Sequence, residues 1–291
     1  MIRKLGIILE MIKFEHTVFA LPFAYMGAIL GTIVMEDRLP LWSEIGWITL
    51  AMFGARSAAM GLNRLIDKRI DTSNPRTSNR ALPAGLLRSV EVLLFIVASF
   101  AMLVYASANL DAITMKLMPI AVFMLVFYSY TKRFTWLCHI ILGLTIGLSP
   151  LGGWVAVTGE FNAAAWVLYA TVSLWIAGFD IVYATQDREY DQRADLHSIP
   201  VRFGIAGALW IARALHAVTA VGFLSLFWMT GLSWAYLFGA VIAVSLLFYQ
   251  HFLVRPTDLS RVQVAFFGMN GTLSVVLFLF AIFDLLVLRQ W

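Results

Sequence analysis

The chain has 291 residues, of which 61% are hydrophobic and only 13% charged, with a net charge of +4 and a single cysteine. A soluble domain carries about 25% charged residues, so this composition excludes an ordinary water-soluble globule and predicts an all-α integral membrane protein. One cysteine, Cys138, excludes an internal disulfide and a Cys-rich zinc site, and reads as a small packing residue.

Apolar runs of about 20 residues predict nine transmembrane helices, at 16–34, 42–62, 86–107, 112–130, 134–157, 163–184, 204–229, 232–252 and 264–288. The third and fourth are separated only by a short stretch around Asn109 and Asp111. The first run lacks a small-residue cleavage site and reads as a true span rather than a signal peptide. Short connections and the lack of any soluble appendage predict a single polytopic unit over 1–291. Sixteen of the 21 Lys and Arg residues fall at the N-terminus and in the loops after spans 2, 4, 6 and 8; three fall on the other side, and Arg56 and Arg213 lie inside spans. That asymmetry predicts that the N-terminus and these loops face the cytoplasm, in a bacterial inner membrane. Nothing in the pattern points to nucleic acid.

Two acidic series follow spans 2 and 6: Asn63-x3-Asp67-x3-Asp71 and Asp187-x3-Asp191-x3-Asp195. On a helix a four-residue step advances about 400° and rises about 6 Å, so each series keeps to one face. Clustered carboxylates resist full ionisation unless a cation neutralises them, and oxygen-only sets suit Mg²⁺ held jointly with substrate phosphates. Four helices separate the two series, which predicts two same-orientation four-helix halves plus one helix around a central cavity.

Around these series lie the other candidates. Lys68, Arg76 and Arg80 follow the first, with Pro75, Pro83 and Gly85 predicting a bent loop rather than a helix. Arg76 and Arg80 read equally well as diphosphate ligands and as topology-setting charges. Lys132 and Arg133 end span 4 beside Tyr130, either gripping phosphate oxygens or forming an ordinary interfacial belt. Asp180 and Tyr183 precede the second series by one to two turns, and an intramembrane acid is a functional candidate by default. Arg56, inside span 2, is costly unless paired, either with a substrate carboxylate or with an acid such as Asp180. His16 faces the same cavity or packs at the interface. Asp191 and Asp195 belong either to the acid cluster or to an exposed ladder with Arg188 and Arg193.

At these residues the chain resembles the UbiA superfamily of intramembrane prenyltransferases, which carries Asn-x3-Asp-x3-Asp after helix 2 and Asp-x3-Asp after helix 6. Asn63, Asp67, Asp71, Asp187 and Asp191 match those motifs. Arg76-Thr77-x2-Arg80-x2-Pro83-x-Gly85 and Tyr130-x-Lys132-Arg133 look like further family features, and the likeness covers essentially the whole chain. The segments Lys13-Phe-Glu-His16-Thr-Val-Phe-Ala-Leu-Pro22 and Leu196-His197-Ser198-Ile-Pro200-x-Arg202-Phe-Gly204 look like the 4-hydroxybenzoate polyprenyltransferase branch. Some members of that branch prenylate 1,4-dihydroxy-6-naphthoate in menaquinone synthesis.

The resemblance implies a catalytic and metal set of Asn63, Asp67, Asp71, Asp187 and Asp191 holding Mg²⁺. It implies Lys68, Arg76, Arg80, Lys132 and Arg133 on the diphosphate of a polyprenyl diphosphate. A small aromatic acid is the implied acceptor, in a cavity bordered by His16, Arg56, Tyr130, Asp180, Tyr183 and Asp195. Alternatives are another acceptor within the superfamily (haem, a chlorophyllide or a lipid precursor) and an ion-coupled transporter. A transporter would place its acids near mid-bilayer on broken helices rather than at one edge among arginines.

Overall fold

A computed structural model describes residues 2–12 and 17–288. The described residues are helical apart from turns and short loops, with an isolated bridge between Arg255 and Asp258 and no strand. The helices are α1 (Ile2–Met11), α2 (Thr17–Glu36), α3 (Trp42–Ile66), α4 (Lys68–Ser73), α5 (Ser89–Ser107), α6 (Ala112–Thr131), α7 (Cys138–Thr158), α8 (Ala163–Ala184), α9 (Arg188–Arg193), α10 (Ile199–Thr230), α11 (Trp234–Leu253) and α12 (Asn270–Phe283). Two π-helical segments, Val264–Met269 and Asp284–Leu288, flank α12.

Among the described residues eight helices are long and apolar enough to cross a bilayer, and α2 adds a shorter apolar stretch, Leu21–Glu36. Each of the nine predicted runs therefore falls on a helix. With the two π-helical segments counted as part of the last span, the largest boundary difference is in α10, which starts at Ile199 rather than 204. A glycine explains it: Gly204 has φ 71° and ψ 173°, so the helix breaks there and restarts in a new direction. Asp111 caps α6, accepting from the Ile113 amide at 2.9 Å, and so separates the third and fourth spans where expected. Trp42, Trp228 and Trp234 are strongly exposed at the end remote from the acidic series, where an aromatic girdle would sit.

Packing repeats along the chain. The α3–α5 pairing recurs as α8–α10, and α6–α7 recurs as α11–α12, as two halves offset by four spans require. The halves are not equal: α7 and α8 pack closely while their counterparts α2 and α3 touch little, which leaves α3 beside a cavity. Between α2 and α7, two glycines allow backbones to meet: a Cβ on Gly27 would stand 2.0 Å from the Pro150 carbonyl oxygen, and one on Gly153 2.1 Å from that of Ala24.

The buried Asp284 carboxylate accepts from the Ser233 amide and hydroxyl and from the Tyr236 amide, capping α11 from outside its own helix. At the other end of α12, Asn270 donates to the Ala265 and Phe266 carbonyls, which satisfies backbone groups that the π-helical segment would leave open.

Gly153→Ala should lower stability by about 1–3 kcal/mol, because α2 and α7 must separate to admit the methyl group. The thermal midpoint in detergent should fall by several degrees; an unchanged midpoint would mean that the α2–α7 contact is not tight.

Candidate active site

The acidic series come together at one end of the bundle. Helical hydrogen bonding carries the first across the α3–α4 junction, with the Asp67 amide donating to Asn63 O at 2.9 Å and the Asp71 amide to Asp67 O at 2.8 Å. The second runs through a 3₁₀ turn, Thr185–Asp187, into α9. Tyr190 joins the two, its hydroxyl donating to the Ile70 carbonyl at 2.8 Å.

Each of four carboxylates meets one cation from another part of the chain. Arg133 Nη2 lies 2.9 Å from Asp67 Oδ1, and Arg80 Nη1 lies 2.7 Å from Asp71 Oδ1. Arg76 grips Asp187 with two hydrogen bonds, Nε to Oδ1 at 2.8 Å and Nη2 to Oδ2 at 2.6 Å, and donates through Nη1 to the Tyr183 hydroxyl at 3.1 Å. Lys132 Nζ lies 2.8 Å from Asp191 Oδ1, an ion pair whose angles fall outside hydrogen-bond geometry. Consecutive residues at the end of α6 thus reach one acid from each series. The carboxylates of Asp71, Asp187 and Asp191 are buried, which makes these pairings necessary rather than decorative.

Burial pushes the Asp67 carboxyl above the usual range, and Asp71 adds to this against the pull of Arg133. A metal ion arriving there competes with a proton over a wider acid range than at an ordinary carboxylate. Burial acts the opposite way on Arg76, but the hydrogen bonds and charge of Asp187 outweigh it and hold the guanidinium firmly protonated.

Below the charges lies an apolar cavity of about 1320 Å³. Along α8 its lining runs from Trp166 to Tyr183, about 26 Å by helical rise. Asn63, Arg64, Arg80 and Tyr183 line the mouth and bond to the charged cluster. One face of α8 supplies Trp175, Phe179 and Tyr183 at four-residue intervals, and Asp187 follows four residues later in the 3₁₀ turn. The ring centroid of Phe266 stands 4.3 Å from that of Tyr183 and 5.1 Å from that of Phe179, forming an aromatic wall just below the acids.

Among the described residues no three His, Cys, Asp or Glu side chains are gathered closely enough to hold one metal ion as they stand. The donor chemistry nevertheless fits a hard cation: four carboxylates and the Asn63 side chain, with Asp71 Oδ2 and both Asp191 oxygens buried without a hydrogen-bond partner. Asn63 turns its amide nitrogen to Asp67 Oδ2 at 2.8 Å, and its oxygen accepts from Arg64 at 3.3 Å.

Several sequence candidates lie elsewhere. Lys68 points to the Ser89 hydroxyl at 3.1 Å and is exposed. Tyr130 is exposed, lies beneath the Arg133 guanidinium at 5.3 Å and does not line the cavity, whereas Tyr128 does. Asp195 leaves the cluster because α9 ends at Arg193 and Asp195 adopts φ 53°, so the four-residue period no longer holds its side chain on the shared face. Arg56 and Asp180 line the cavity. His16 lies outside the described residues. Sequence reading missed Arg64, buried next to Asn63, and His139, whose Nδ1 stands 2.8 Å from Asp180 Oδ2. A histidine in the first turn of an apolar span was the available signal for His139.

Asp191→Asn should strand Lys132 and cost about 3 kcal/mol or more, because removing one partner leaves an uncompensated charge. Adding Lys132→Met should recover most of that loss. A double-mutant cycle on thermal unfolding should give a coupling of about 2 kcal/mol; strict additivity would mean that the ion pair carries no stability.

A profile of the UbiA prenyltransferase family matches residues 20–281. A 4-hydroxybenzoate octaprenyltransferase of Vibrio cholerae is 31% identical over 243 residues, covering 82% of this chain and 84% of the relative. The apo structure of a UbiA homolog from Aeropyrum pernix K1 superposes with TM-score 0.85 at 29% identity, covering 93% of this chain and 98% of that one. A UbiA homolog from Archaeoglobus fulgidus bound to GPP and Mg²⁺ shares the fold, with TM-score 0.73 at 18% identity over 94% of this chain and 99% of that one. The chain belongs to the UbiA prenyltransferase family.

Proposed function

We propose that the protein transfers a polyprenyl group from its diphosphate to the ring of a small aromatic acid, 4-hydroxybenzoate or 1,4-dihydroxy-6-naphthoate, in quinone biosynthesis. The carrying observation is the set of four carboxylate–cation pairs at the mouth of a long apolar cavity. Such a mouth suits a diphosphate, and the cavity suits an isoprenoid tail. The curated relative from Vibrio cholerae is named a 4-hydroxybenzoate octaprenyltransferase, and the Archaeoglobus homolog is bound to GPP and Mg²⁺.

Asn63, Asp67, Asp71, Asp187 and Asp191 would hold Mg²⁺, which supplies electrostatic stabilisation of the departing diphosphate. Arg76, Arg80, Lys132 and Arg133 exchange their carboxylate partners for diphosphate oxygens. They stabilise the charge that develops as the allylic C–O bond breaks, where preorganised electrostatics act most strongly. Lys68, turned to Ser89, assists only if it swings back. Tyr183, Phe179 and Phe266 present ring faces to the allylic carbon, shielding its positive charge and excluding water. Arg56, from within the cavity wall, anchors the acceptor carboxylate. The lysine and arginine asymmetry supports a mouth on the cytoplasmic side of a bacterial inner membrane.

Purified protein, Mg²⁺, geranyl diphosphate and each candidate acid should give a C-prenylated product by mass, together with stoichiometric diphosphate. A chelator should abolish turnover, and added Mg²⁺ should restore it. Release of diphosphate with no prenylated ring for either acid would point to another acceptor. Asp67→Asn and Asp187→Asn should each lose about three orders of magnitude in kcat, measured per folded protein because each also strands an arginine. Arg56→Ala should mainly raise the acceptor KM, by about tenfold or more, leaving the donor KM unchanged.

A further inference from the structure

Ring substitution ends with loss of a proton, and the four paired carboxylates are committed to cations. Asp180 is different. It is the one carboxylate among the described residues that lines the cavity. It stands on α8 two turns before Asp187, about 10 Å deeper by helical rise. Its Oδ2 is held 2.8 Å from Nδ1 of His139, at the start of α7. The imidazole is buried, with 5% of its side chain exposed, and its Nε2 has no hydrogen-bond partner, whereas the Asp180 side chain keeps 23% exposure. A purely structural tie between α7 and α8 would account for the Oδ2–Nδ1 contact. It would not require the carboxylate to remain open to the cavity, where an intramembrane acid is expensive.

We propose that Asp180 is the general base of the transfer, positioned by His139. This rests on the ring-prenylation reading above. The donor C–O bond breaks and its electron pair leaves with the diphosphate. A ring π pair forms the new C–C bond to the allylic carbon. The C–H bond at that ring carbon then breaks, its electrons restore aromaticity, and the proton passes to Asp180. His139 fixes the carboxylate through Oδ2 and leaves Oδ1 to take the proton, which returns to water when the product leaves. The apolar walls keep water from serving as the base, so a built-in acceptor is needed at this depth.

The test is Asp180→Asn, nearly isosteric and still able to hydrogen-bond His139, assayed with an acceptor deuterated at the attacked ring position. The expected result is a fall in kcat of about 10²–10³-fold, with the isotope effect rising from near 1 to about 3 as C–H cleavage becomes slow. The KM values for donor and Mg²⁺ should stay within about twofold, which a damaged diphosphate site would not allow. His139→Gln should show a smaller loss, about tenfold, with the same emerging isotope effect, and Asp180→Glu should recover part of the rate. Transfer by Asp180→Asn within threefold of wild type would overturn the assignment, as would a loss with no isotope effect or one confined to donor KM. Wild-type protein that releases diphosphate but prenylates no ring would instead remove the functional reading on which the assignment rests.

Discussion

Buried carboxylates at the edge of an apolar bundle must find cations, and this fold is organised to supply them. Arg76 and Arg80 come from the bent loop after α4, and Lys132 and Arg133 from the end of α6. Three of the four pairs tie together segments far apart in sequence, as Arg76 and Asp187, 111 residues apart, do; the Arg80–Asp71 pair, nine residues apart, folds the loop back onto α4. Stranding one member of such a pair costs about 3–5 kcal/mol, comparable to much of a domain's net stability. The pairs therefore determine how the loop, the two acidic series and the ends of α3, α6 and α8 are assembled.

The same arrangement gives the proposed chemistry its geometry. Charge is concentrated at the mouth, while the cavity behind it is apolar and long. One face of α8 and the 3₁₀ turn that follows it carry the transition from one to the other, from Asp187 in the turn through Tyr183 and Phe179 to Trp175. The headgroup of a prenyl donor and its first isoprene unit would thus meet successive turns of one helix, charged and then aromatic. Reaction inside the bilayer would follow from such a donor, whose tail is insoluble in water.

Much of this was legible in the sequence, because the signals were local. Long apolar runs fixed the spans, and four-residue acid spacing fixed which oxygens share a face. Pro75, Pro83 and Gly85 marked the loop that carries the arginines, and Gly85 takes φ 70° there. What stayed hidden depended on tertiary neighbours or on a helix end. Asp195 kept the spacing but lay beyond the end of α9. Lys68 and Tyr130 are adjacent in sequence to site residues yet turn outwards, since a one- or two-residue step rotates a side chain by 100° or 200° about a helix. His139 gained meaning only through Asp180, 41 residues away.

The central claim is that both acidic series serve one metal–diphosphate site. The most direct measurement is the anomalous scattering of Mn²⁺ in crystals grown with an unreactive prenyl thiolodiphosphate. Metal peaks ligated by oxygens from both Asp67 or Asp71 and Asp187 or Asp191, with the diphosphate between them, are the predicted result. Metal held by one series alone, with the other still closed on its arginine and lysine partners, would contradict it.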